Sequence, residues 1–152
     1  MQYTGVDIDE QLINWLSDNA VGENLELIHW PVANPVYNPS GNPLSAMDGF
    51  PVDSKYDLIT FFSVFTHLNP TDAAKMLEFS KKALNRNGRV FLTVFVSEQT
   101  EEYEEGNPDR PSLVSKFRTD FFEELVAEAG LAVVSKYPAM KLAGPHYILA
   151  HA

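Results

Sequence analysis

Residues Tyr56–Leu68 read YDLITFFSVFTHL, and the folding of this stretch decides the fold of the chain. Leu58-Ile59-Thr60-Phe61-Phe62 is an apolar run rich in β-formers and too short for an independent helix. It predicts a central strand buried on both faces. Ser63-Val64-Phe65-Thr66-His67-Leu68 then mixes polar and apolar side chains before Asn69-Pro70 opens a helix. In open α/β sheets ligands bind beyond the carboxyl ends of the strands, so Ser63, Thr66 and His67 stand where chemistry is expected.

Upstream, Gln2–Ile8 reads as a strand that ends in the carboxylate of Asp7. Asp9 is placed to cap a helix carrying Leu12, Ile13 and Leu16 on one face. A carboxylate at the end of such a strand accepts from both hydroxyls of a ribose, which makes Asp7 a candidate nucleotide ligand; a turn cap is the plainer reading. Leu25–His29 forms a further short strand. Prolines at 31, 35, 39, 43 and 51 then predict about 20 residues without regular structure, with Tyr37-Asn38-Pro39-Ser40-Gly41 carrying the turn chemistry of an ordered flap.

Downstream, Asn69-Pro70-Thr71-Asp72 gives a cap, a proline at the first helical position and an acid in the first turn. Ala73, Met76, Leu77, Ser80 and Leu84 recur at helical spacing as a core face, and Asn87-Gly88 is read as the turn that ends the helix region. Arg89–Val96, RVFLTVFV, predicts a second buried parallel strand. Residues 98–115, with glutamates at 101, 102, 104 and 105, read as a solvated loop. Thr119 is expected to cap a helix with Phe121, Phe122, Leu125, Val126 and Ala129 inward and Gly130 as its stop. Leu131–Lys136 and Tyr147–Ala152 are the last two strands; the short connection between them predicts antiparallel pairing.

The 152 residues suit one domain spanning 1–152, with 45% hydrophobic and 12% aromatic side chains. A formal charge of −10 on a chain with only 11 Lys and Arg argues against nucleic acid and anionic membranes as partners. Absent cysteines exclude disulfides, thiolate metal sites and a cysteine nucleophile. With no apolar run near the roughly 20 residues of a membrane span, a soluble, cytoplasmic protein is expected. His29, His146 and His151 show no metal-ligand spacing, so no metal is expected.

This succession of elements, nearly end to end, resembles the class I S-adenosylmethionine-dependent methyltransferases. Ser63–Leu68, SVFTHL, together with Tyr37–Gly41, resembles a bacterial subgroup often encoded beside glycosyltransferases. The resemblance implies an α/β, Rossmann-like fold with a seven-stranded sheet in the order 3-2-1-4-5-7-6, mostly parallel with the last strand antiparallel. It implies S-adenosylmethionine as cofactor, Asp7 and Ile8 at its ribose, Ser63 and Val64 near its methionine part, and a small-molecule or sugar-type methyl acceptor. His67 is then the candidate base, because imidazole titrates near neutrality. The family's first strand and glycine-rich turn would precede Tyr3, and no G-x-G occurs among the eight glycines. The acid that the family places after its third strand falls near Pro31. The expectation is therefore an N-terminally incomplete fold, a truncated form with impaired cofactor binding, and a homo-oligomer. A non-catalytic methyltransferase-like binding or assembly domain is the alternative. A nicotinamide-dependent dehydrogenase shares only the strand-acid-helix start.

Overall fold

The computed structural model describes residues 2–20, 22–107, 109–110, 113–138 and 145–152. The chain forms two compact units, Met1–Val52 and Asp53–Ala152.

In the first unit, strand β1 (Tyr3–Asp7) pairs in parallel with β2 (Leu25–His29), with helix α1 (Glu10–Asn19) as the crossover. Asp9 caps α1 as its sequence position predicts, its carboxylate accepting from the backbone N–H groups of Gln11 at 2.9 Å and Leu12 at 3.1 Å. The inward face of α1 is narrower than its apolar spacing suggests: Ile13 is buried, Leu16 half-buried and Leu12 exposed. Beyond β2 the proline-rich stretch is an ordered loop. Asn34 and Asn38 exchange backbone hydrogen bonds at 2.9 Å each, and the Asn38 amide donates to the Val32 carbonyl at 3.0 Å. Only glycine fits at 41, where a Cβ would stand 2.6 Å from the backbone of Val32 and Ala33.

The second unit holds a four-stranded sheet in the order β3 (Tyr56–Phe61), β4 (Leu84–Thr93), β9 (His146–His151), β8 (Leu131–Tyr137). β3 and β4 are parallel, and β9 runs antiparallel to both β4 and β8. That is the 4-5-7-6 half of the expected order, with its reversed last strand. β3 itself departs from expectation. It is the edge strand of this sheet, and Leu58 (59% exposed) and Phe62 (68% exposed) project from one face while Phe61 is buried on the other. The doubly buried strand is instead β4, where Val90 and Leu92 are fully buried and Phe91 partly so.

Helix α2 (Pro70–Ala83) begins where the sequence places it: Asn69 accepts from the Asp72 N–H at 2.9 Å and Pro70 is its first residue. It ends earlier than the Asn87-Gly88 turn, because Leu84 is already extended and pairs with Tyr56. Gly88 serves a different purpose. It lies at the register shift between β3 and β4, where a Cβ would stand 2.9 Å from the Tyr56 carbonyl oxygen. Helix α3 (Thr119–Glu128) is not capped by Thr119, which is its first helical residue; the cap position is Arg118, whose side chain makes no capping hydrogen bond and donates instead to the Asp120 carboxylate. Gly130 ends the α3 region at φ 72° as expected.

The core of this unit is an aromatic chain. Phe61 meets Phe65 at 5.3 Å between ring centroids, Phe65 meets Phe122 at 6.0 Å, and Phe122 meets Tyr147 at 5.4 Å. Ala73, Met76, Leu77 and Ser80 of α2 are buried with them. The acidic stretch read as a solvated loop contains strand β6 (Tyr103–Glu105), paired antiparallel with β7 (Ser115–Arg118), which pairs in turn with β5 (Phe95–Ser97). Alternate side chains decide this: Tyr103 packs on buried Phe117 while Glu104 faces outward. Residues 108, 111 and 112 of that stretch, and 139–144 of the β8–β9 connection, lie outside the described residues.

Candidate functional site

Asp7 and Ile8 belong to the first unit. Asp7 closes β1 and its Oδ1 accepts the backbone N–H of Asp9 at 2.9 Å, which makes it a turn cap. A carboxylate has lone pairs on both oxygens, so this bond leaves capacity for a ribose hydroxyl. The Asp7 carbonyl also accepts from Trp30 N–H at 2.8 Å, tying the ends of β1 and β2 together.

Ser63, Val64, Thr66 and His67 are brought together in the second unit, in a tight turn at the carboxyl end of β3. Ser63 has φ 57°, the one non-glycine residue with positive φ among the described residues. Its N–H donates to Thr93 Oγ1 at 2.8 Å, and its hydroxyl shares a hydrogen bond with Thr66 Oγ1 at 3.1 Å. Val64 follows in helical conformation, and its carbonyl accepts from His67 N–H at 2.9 Å as Phe65–His67 makes one 3-10 turn. Phe65 is fully buried and Thr66 nearly so, which anchors the turn, while Ser63 is exposed and His67 half-buried. Polar atoms at a strand end are thereby held at the surface by buried neighbours.

Thr93 went unnoticed in the sequence, where it is one residue of an apolar strand. Its only signal is a hydroxyl at the carboxyl end of RVFLT. A second arrangement was also hidden: the Tyr103 hydroxyl donates to Glu105 Oε1 and lies 3.3 Å from Ser115 Oγ. Burial first, then the Glu105 hydrogen bond, pushes the Tyr103 phenol up to about 12. Nearby, burial raises Asp72 above the usual carboxylate range, opposed by its hydrogen bond from the Asn69 amide. Two shallow cavities flank this sheet, one of about 510 Å³ lined by Glu101, Glu102, Tyr103 and Arg118, the other of about 450 Å³ lined by residues that include Ser97, Thr100, Lys116 and Pro145. Neither is lined by Ser63, Val64 or His67. Among the described residues no three His, Asp or Glu side chains gather as a metal site. No described helix is long and apolar enough to cross a membrane.

A family model described as a methyltransferase domain matches residues 1–136, across both units. The chain belongs to that family. The solved structures that resemble it agree in fold. An S-adenosylmethionine-dependent methyltransferase from Clostridium acetobutylicum superposes with a TM-score of 0.66 at 12% identity, covering 100% of this chain and 76% of that one. The glycopeptide N-methyltransferase MtfA, solved with S-adenosyl-L-homocysteine, gives a TM-score of 0.67 at 10% identity over 98% of this chain and 72% of that one. A protein titled a pericyclic reaction enzyme gives 0.67 at 11% identity over 99% of this chain. This methyltransferase-family chain spans 36% of that enzyme's length.

Proposed function

We propose that residues 1–152 act as one S-adenosylmethionine-dependent methyltransferase domain with a small-molecule or sugar-type acceptor. The observation that carries this reading is the polar turn Ser63–His67 at the carboxyl end of β3, in a chain whose family model runs through it. The sugar-type acceptor rests on the resemblance of the SVFTHL segment together with Tyr37–Gly41. Bound S-adenosylmethionine supplies a methyl group on a sulfonium, which is already a good leaving group, so positioning supplies most of the rate effect. Asp7 would accept from the ribose hydroxyls, with Ile8 beside them, and Ser63 and Val64 would hold the methionine end. His67 is the candidate base for an acceptor that must lose a proton.

A carboxylate and a polar turn fit the cofactor in part. Residues 1–152 contain no G-x-G arrangement to present backbone donors, so the affinity of these residues by themselves should be low. The same gap supports a second reading, a non-catalytic member that keeps the fold for binding or assembly. Exposed Leu58 on edge strand β3, and Phe62 just beyond its end, support association of more than one copy. Titration of the full chain with S-adenosylhomocysteine, followed by amide chemical shifts, decides between the readings. Saturable shifts at Asp7, Ile8, Ser63 and Val64, lost in Asp7→Ala, support the enzyme reading. Unchanged spectra to millimolar ligand overturn it. With a cofactor and acceptor in hand, His67→Gln should lower kcat and leave cofactor affinity unchanged.

A further inference from the structure

Ser63 is held in a backbone conformation that crowds the Cβ of any L-residue. Glycine would enter it freely, and Asn or Asp more easily than serine. What keeps serine there is a pair of hydroxyls. Thr93 Oγ1 accepts the Ser63 N–H at 2.8 Å and Thr66 Oγ1 meets the Ser63 hydroxyl at 3.1 Å. Both threonines are buried, Thr93 at 4% and Thr66 at 3% exposure, so neither hydroxyl is there for solvent. The β3–β4 ladder has already ended at Phe61 and Leu92. One residue further along β4, a side-chain oxygen takes the place of a backbone carbonyl, and the chain turns out of the sheet instead of extending it.

We infer that Thr93 and Thr66 are positioning residues for the cofactor-binding turn. Their hydroxyls hold Ser63 left-handed and so fix the backbone of Ser63 and Val64 before the ligand arrives. The inference rests on the proposal that this turn holds S-adenosylmethionine. Its physical content is preorganisation: a turn already ordered in the free protein does not charge its ordering to binding. A threonine that served packing alone would be replaceable by valine, which has nearly the same shape. Loss of the hydroxyl leaves the Ser63 N–H without its acceptor and releases the turn.

The test compares two substitutions at one position in the full chain. Thr93→Val keeps the shape and removes the hydroxyl; Thr93→Ser keeps the hydroxyl and removes a methyl. S-adenosylhomocysteine affinity, from the chemical-shift titration, should fall about five- to tenfold in Thr93→Val, with faster amide exchange at Ser63. Thr93→Ser should bind as wild type does, even where its melting temperature is lower. Equal affinity of Thr93→Val and wild type overturns the inference, as does an equal loss in Thr93→Ser, which would make packing the cause. Wild type that fails to bind overturns the cofactor reading along with it, a result distinct from binding that is insensitive to Thr93. Should Thr93→Val not fold, Thr66→Val removes the other hydroxyl and is read the same way: a retained affinity overturns the inference, a loss supports it.

Discussion

A serine at φ 57° and a glycine at φ 72° occupy the same region of backbone space on different terms. Ser63 retains its conformation through side-chain hydrogen bonds, so Ser63→Ala keeps the strain and loses the bond to Thr66, and should cost about 1 to 2 kcal/mol. Ser63→Gly loses the same bond but relieves the crowding, and should cost less. Urea denaturation of both variants checks this; equal losses would show that the positive φ carries no penalty. Tyr103 gives a second prediction at this scale. Its folded pKa, pushed up to about 12, lies above the unfolded value near 10, so the neutral phenol's contribution is complete below pH 10 and is lost as the pH rises toward 12. Absorbance titration at high pH should show a late phenol, absent in Tyr103→Phe. Tyr147, also raised by burial and then by Glu123, remains in that variant as an internal reference.

The two long helices of the second unit start by different means, and the difference is measurable. Asn69 closes the first turn of α2 twice over, accepting from the Asp72 N–H and donating from its amide to the Asp72 carboxylate, each at 2.9 Å. Asn69→Ala should therefore cost about 1 kcal/mol, within the range of caps generally. Thr119→Ala should cost little, because the residue lies inside α3 and caps nothing. In α3 the first-turn acid does that work, with Asp120 accepting the Phe121 N–H at 2.7 Å and held below the usual carboxylate range by Arg118. A loss for Thr119→Ala as large as for Asn69→Ala would contradict this assignment.

For the molecule as a whole, the prediction concerns affinity and assembly. Backbone hydrogen bonds are worth about 1 to 1.5 kcal/mol each, so residues 1–152 by themselves, without two or three such bonds from a glycine-rich turn, are expected to bind the cofactor on the order of a hundredfold more weakly than with them. Calorimetry with S-adenosylmethionine should accordingly find no micromolar affinity for this chain, and a micromolar value would remove the argument from the glycine pattern. Light scattering at tens of micromolar should find more than one copy associated; a monodisperse species of 17.0 kDa would refute the association.

The elements were legible in the residues because their signals are local. An apolar run of five, a cap one residue before a helix, and a glycine after one act within a few positions of themselves. So β1, β3, α2, residues 89–93 of β4, the antiparallel β8–β9 pair and the Asp9 and Asn69 caps followed from sequence, and so did the collection of Ser63, Val64, Thr66 and His67 at one strand end. Residues 84–88, read as helix and turn, are strand, and Phe95 and Val96 belong to β5. What only the tertiary structure decided depends on neighbours distant in the chain. Leu58-Ile59-Thr60-Phe61-Phe62 is apolar on both faces, yet exposure is set by what packs on each face, and β3 came out as an edge strand with Leu58 and Phe62 open. Acidic residues at 101–105 read as solvent-loving until Phe117, twelve or more residues away, supplied Tyr103 with a partner and made a strand of Tyr103–Glu105. Thr93 could not be singled out by any local pattern, because its role is a bond to a residue 30 positions earlier, across the end of a parallel ladder.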